Sequence, residues 1–98
     1  MKSLEEKIKE AIPTLVVFQH SGNQNADNVD YLIEEIRAKY NGRASVVSVD
    51  ASHNGEYKVH FKLSGYPTWI LYKEGQELMR ESGNKTLAEL TDMVDRAL

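Results

Sequence analysis

Three histidines, fifteen carboxylates and no cysteine set the chemistry open to this chain. Without cysteine, disulfides, thiolate zinc sites and thiol nucleophiles are excluded together, whatever the fold. His20, Ser21 and Asp27 fall close in sequence and offer a base, a hydroxyl and a carboxylate. A serine nucleophile needs a base and an oriented third group, and a metal needs about three or four convergent ligands; the spacing specifies neither. His53 and His60 read as solvated or edge residues, so no metal site and no cofactor is expected. Asn23, Gln24 and Asn25 carry hydrogen-bonding side chains that suit a ligand and equally suit caps and turns. An anion at a helix start there would find no Lys or Arg in the loop and would meet Asp27. Tyr66 before Pro67 reads either as a packed aromatic or as part of a binding surface, and Trp69 as core packing on a strand.

The elements that position these residues have one core to share, because 98 residues suffice for a single domain, expected over 1–98. With 41% hydrophobic and 28% charged residues the composition is that of a globular chain. The net charge of -3 is spread without a basic block, so nucleic acid is not an expected partner. Met1 to Glu10 alternates charges where a signal peptide needs an apolar stretch, and no run approaches the ~18 apolar residues of a membrane span. The expectation is a cytoplasmic chain with no membrane partner.

Ser3 with Glu6 fits a capping box, and Leu4, Ile8, Ala11 and Ile12 fall on one helical face until Pro13. Thr14 to Phe18 is a continuous apolar run, the pattern of a central strand covered on both faces. Val29, Leu32, Ile33, Ile36 and Tyr40 then repeat at helical spacing up to the stop at Asn41-Gly42. Ser45 to Asp50 reads as a second buried strand, parallel to the first through a right-handed crossover. Tyr57, His60 and Phe61 predict a short helix. Strands at Thr68 to Tyr72 and Glu77 to Glu81 around a Lys73-Glu74-Gly75-Gln76 turn predict an antiparallel hairpin. Thr86 with Glu89 offers another capping box, and Leu87, Leu90, Met93, Val94, Ala97 and Leu98 form the stripe of a last helix.

This order resembles the thioredoxin fold over nearly the whole chain. Thr14-Leu-Val-Val-Phe18 looks like the family's central strand, Gly65-Tyr-Pro-Thr68 like its cis-proline loop, and Leu71-Tyr-Lys-Glu-Gly75 with Gly83 like its closing hairpin. Gly65 to Thr68 is especially similar to domains of the protein disulfide isomerase type. The resemblance implies an α/β fold with a four-stranded mixed sheet, order 2-1-3-4, and helices on both faces. It also implies a cis Tyr66–Pro67 peptide. Where the family holds Trp-Cys-Gly-Pro-Cys, this chain has Gly22-Asn23-Gln24-Asn25-Ala26, with both redox cysteines replaced, at Asn23 and Ala26. The family's buried carboxylate falls at Val17 and the tryptophan flanking the site at Gln19. A laboratory replacement of two cysteines leaves their neighbours intact, so the segment reads as natural divergence.

What the resemblance leaves is a surface. The vestigial loop Gly22 to Ala26 and the Gly65-Tyr66-Pro67-Thr68 loop, with Gln19, Gly83 and Asn84, are expected to form one shallow groove. In the family the residue before this proline offers its backbone N–H and C=O to an extended peptide. The expected function is therefore a redox-inactive, non-enzymatic module that binds a peptide or protein partner. The alternatives are an enzyme of non-thiol chemistry using His20, Ser21 or Asp27, and a structural or oligomerisation domain.

Overall fold

A computed structural model describes residues 3–20, 26–52 and 55–98. Its elements are α1 (Leu4–Ile8), β1 (Thr14–Gln19), α2 (Ala26–Lys39), β2 (Ser45–Asp50), α3 (Gly55–His60), β3 (Thr68–Lys73), β4 (Gln76–Ser82) and α4 (Leu87–Ala97). The sheet runs β2-β1-β3-β4, with β1 parallel to β2 and antiparallel to β3, and β3 antiparallel to β4. This is the mixed sheet expected from the sequence, with helices on both faces.

The continuous apolar runs of β1 and β3 follow from their central places. Leu15, Val16, Val17 and Phe18, like Trp69, Ile70 and Leu71, are fully buried because each face of the sheet is covered. Leu15, Val17, Trp69 and Leu71 point to one side, against Val29, Ile33, Ile36 and Tyr40 of the α2 region and Leu90 and Val94 of α4. Val16, Phe18, Ile70 and Tyr72 point to the other, against Phe61 and Leu63, with Leu4, Ile8 and Tyr57 closing that layer. Each such aliphatic or aromatic side chain taken from water contributes about 1.5–3 kcal/mol.

Two expectations need correction. The first helix stops at Ile8, one turn before Pro13. Its last carbonyls are drawn to the hairpin, where Gly75 N–H donates to Ile8 C=O at 2.8 Å and Glu74 N–H to Glu10 C=O at 2.9 Å. Second, β2 is an edge strand, so only Val46 of its residues is buried. The expected antiparallel hairpin forms and carries a bulge between Leu71 and Tyr72: Leu71 pairs with Met79 but Tyr72 with Glu77, which leaves Leu78 exposed. The expected Thr86–Glu89 capping box is complete, with Thr86 Oγ1 accepting from Glu89 N–H at 3.2 Å and Glu89 Oε1 accepting from Thr86 N–H at 3.0 Å.

The turn into the Pro67 loop is fixed from both ends. α3 closes in a Schellman motif, Leu63 N–H to Lys58 C=O and Lys62 N–H to Val59 C=O, with Lys62 at φ 56. Arg80 of β4 then donates to Phe61 C=O at 2.6 Å and to Lys62 C=O at 3.2 Å. That guanidinium is itself held by Glu77. Among the described residues no helix is long and apolar enough to cross a membrane.

Candidate functional site

The end of β1 and the start of β3 meet because the two strands run antiparallel, with Phe18 opposite Thr68. Two residues further along this register, His20 lies opposite Tyr66, and their rings pack with centroids 5.5 Å apart, inclined by 48°. The Tyr66–Pro67 peptide is cis.

Hydrogen bonds brace the loop from inside. Thr68, a buried polar residue, donates from Oγ1 to Gly65 C=O at 2.6 Å. Gly83 N–H donates to Pro67 C=O at 2.8 Å, and the buried Trp69 ring donates from Nε1 to Gly83 C=O at 3.1 Å. Gly83, at φ 91, thereby links the end of β4 to the loop with both of its backbone groups. Asn84 follows it and is exposed. Pro67 is buried, whereas Gly65 and Tyr66 are half-buried. Tyr66 packs from the side against the layer that holds Phe18 and Phe61. Among the described residues, neither the N–H nor the C=O of Tyr66 has a backbone hydrogen-bond partner.

Gln19 is the last residue of β1. Its C=O accepts from Ala51 N–H at 2.8 Å, continuing the parallel ladder. Its side-chain amide donates to Ser48 Oγ at 3.0 Å and reaches Asp30 Oδ1 at 3.5 Å. The amide thus ties β1 to β2 and α2, a role that the sequence did not announce. Val17 is fully buried among apolar neighbours.

Ser21, Gly22, Asn23, Gln24 and Asn25 lie outside the described residues, as does His53; Ala26 is the first residue of α2. Asp27 is exposed in the first turn of that helix. His60 is exposed on α3 and stacks edge-on against Phe61. A cleft of about 730 Å³ opens between the start of α1 and α3, lined by Leu4, Tyr57, Val59, His60 and Phe61 among others; none of the loop residues lines it. The His20–Tyr66 contact could have been found by counting the antiparallel register outward from the strands.

The family model for thioredoxin matches residues 28–96. Thioredoxins of Staphylococcus aureus, among them those of strains Mu50 and MW2, are 27% identical to this chain over 67 residues. That stretch is 68% of this chain and 64% of each relative, so less than two thirds of the relatives' length is matched. Among solved structures, the crystal structure of a designed protein superposes with a TM-score of 0.85 at 19% identity, covering 95% of this chain and 82% of that one. The X-ray structure of Fasciola hepatica thioredoxin superposes with a TM-score of 0.81 at 20% identity, covering 92% and 85%.

Proposed function

This chain belongs to the thioredoxin family, and from that premise we propose that it is a redox-inactive binding module that holds an extended segment of a partner protein at the Tyr66–Pro67 loop. With no cysteine it cannot exchange thiols and disulfides through its own residues. The observation that carries the binding reading is the Tyr66 backbone beside the end of β1, which has no backbone hydrogen-bond partner among the described residues. An N–H and a C=O left open at the end of a ladder can accept a segment as an added strand. The braces from Thr68, Gly83 and Trp69 hold that backbone in place before any partner arrives, which lowers the ordering cost of association. Tyr66 and His20 supply a small aromatic rim for a side chain of the bound segment. Gln19 stands as a wall of the groove, its amide already engaged. The partner is a protein or peptide, and no cofactor is required; a cytoplasmic setting belongs to the same reading.

The test is capture from native lysate on wild type beside a folded Tyr66→Asp variant, with bound proteins identified by mass spectrometry. A protein held by wild type and lost by the variant supports the reading, and identical capture, or none, sinks it.

A further inference from the structure

Asn41 and Gly42 lie exposed in the turn between α2 and β2, and the chain is pinned on either side of them. Tyr40 is buried and its hydroxyl is anchored on α4 through Asp95 Oδ1 and Thr91 C=O. Ser45 enters the sheet by donating to Pro13 C=O at 2.9 Å. Arg43 N–H closes the turn on Tyr40 C=O at 2.7 Å, and Ala44 N–H shares that acceptor at 3.0 Å. Between these anchors, neither the Gly42 N–H nor the Asn41 side chain has a hydrogen-bond partner among the described residues.

Gly42 sits at φ 82, and nothing lies within 4 Å of where its Cβ would stand. Without a Cβ it accepts either sign of φ. The Asn41–Gly42 peptide plane can therefore turn over while Arg43 N–H keeps its bond to Tyr40 C=O, the exchange of one β-turn type for another. That rotation brings the Gly42 nitrogen within reach of the Asn41 side-chain carbonyl carbon. Lys39 Nζ and Arg43 Cζ lie 5.6 and 5.4 Å from the centroid of the Tyr40 ring, and neither cation has a carboxylate partner among the described residues. Positive charge beside the turn favours the anionic form of its amide nitrogen. Other asparagines are placed differently. Asn28 precedes β-branched Val29 inside α2, where the helical ladder fixes the peptide plane. Asn84 precedes Lys85, whose side chain is held between Glu81 and Glu89. Asn54 also precedes a glycine and lies outside the described residues.

We propose that Asn41 is a site of spontaneous covalent modification, deamidating through a cyclic imide closed by the Gly42 nitrogen. The Gly42 N–H gives its proton to a solvent base, and the nitrogen attacks Asn41 Cγ. The N–Cγ bond forms, the Cγ–Nδ2 bond breaks, and the side-chain nitrogen leaves as ammonia. Attacker and target are joined by the chain itself, so the ring closes without the entropy cost of a bimolecular encounter. Water then opens the imide at either carbonyl. Breaking the new N–Cγ bond gives aspartate, and breaking the original peptide bond gives isoaspartate, in which the main chain runs through Cβ; no atom changes oxidation state. Isoaspartate lengthens by a methylene a turn whose ends are pinned at Tyr40 and Ser45. Both products place a new negative charge beside Lys39 and Arg43.

Peptide mapping of the folded full chain, held at mildly alkaline pH, tests this. Each asparagine is followed separately by mass, and isoaspartate by labelling with isoaspartyl methyltransferase. Asn41 should convert at least about tenfold faster than Asn28 or Asn84, faster again as pH rises, with aspartate and isoaspartate both formed. Gly42→Ala takes away the freedom of the peptide plane and should slow the conversion at least about tenfold with an unchanged far-ultraviolet spectrum. Asn41→Gln needs a ring one atom larger and should keep its side-chain amide throughout, a comparison that stands even where alanine at φ 82 disturbs the turn. An Asn41 that converts no faster than Asn28 and Asn84 overturns the proposal. Conversion to aspartate without isoaspartate, an unchanged rate in folded Gly42→Ala, or equal loss of the amide in Asn41→Gln overturns closure by the Gly42 nitrogen.

Discussion

His20 and Tyr66 face each other across the mouth of the β1–β3 ladder, ring centroids 5.5 Å apart. The contact joins a residue that invites an acid–base reading to one that, in the proposed function, frames a peptide surface. It places His20 beside the loop, next to a Tyr66 backbone that has no backbone hydrogen-bond partner among the described residues.

The loop's internal bracing predicts the first effect. Thr68 is 1% exposed and its hydroxyl donates to Gly65 C=O. Thr68→Val keeps the shape and removes the donor, which should cost about 1–2 kcal/mol in urea unfolding. It should also weaken partner binding by more than it changes the fold, read by calorimetric titration beside the wild-type domain.

A second prediction concerns the turn into that loop. Lys62 holds a left-handed conformation, φ 56, at the position of the Schellman motif where glycine is common. Lys62→Gly should raise stability by roughly 0.5–1 kcal/mol, seen as a higher urea midpoint with an unchanged slope. Arg80 bonds only backbone carbonyls at Phe61 and Lys62, so that anchor survives the change.

Much of the fold was legible because its signals are local. The Thr86–Glu89 pair marks the start of α4, and the valine-rich run marks β2 at Ser45–Asp50. What sequence could not supply was tertiary. Glu74 and Gly75 take the carbonyls of Glu10 and Ile8, and no spacing within the first helix foretells that it ends early. Three valines in β2 look like a strand covered on both faces until the strand order makes it an edge. In the site, the Tyr66–Pro67 loop was visible by its resemblance, whereas the engagement of the Gln19 amide with Ser48 and Asp30 needed the packing of α2 over β2.

Alkaline pH gives a third prediction. The Tyr40 hydroxyl donates to Asp95 Oδ1 at 2.6 Å, with Thr91 C=O at 3.2 Å. Burial, followed by the Asp95 hydrogen bond, pushes its pKa from 10.0 up to about 12. Below pH 10.0 both folded and unfolded chains keep the phenolic proton, and the contribution is fully present. Between 10.0 and about 12 the unfolded chain ionises first, so stability falls as pH rises and the contribution is lost by the folded value. Tyr72, raised by burial and then by Glu77, adds to the fall in the same direction. Tyr40→Phe should cost about 1–2 kcal/mol at neutral pH and make the alkaline fall shallower, measured by unfolding across that range.

The account rests on a Tyr66 backbone without a backbone partner among the described residues, and amide hydrogen exchange reads that group directly. In the free protein the Tyr66 amide should exchange quickly while that of Gly83, bonded to Pro67 C=O, is protected. With a saturating peptide taken from the protein that wild type captures and Tyr66→Asp does not, the Tyr66 amide should become protected. A Tyr66 amide already protected in the free chain, or one still exchanging quickly when the peptide is bound, would contradict the account.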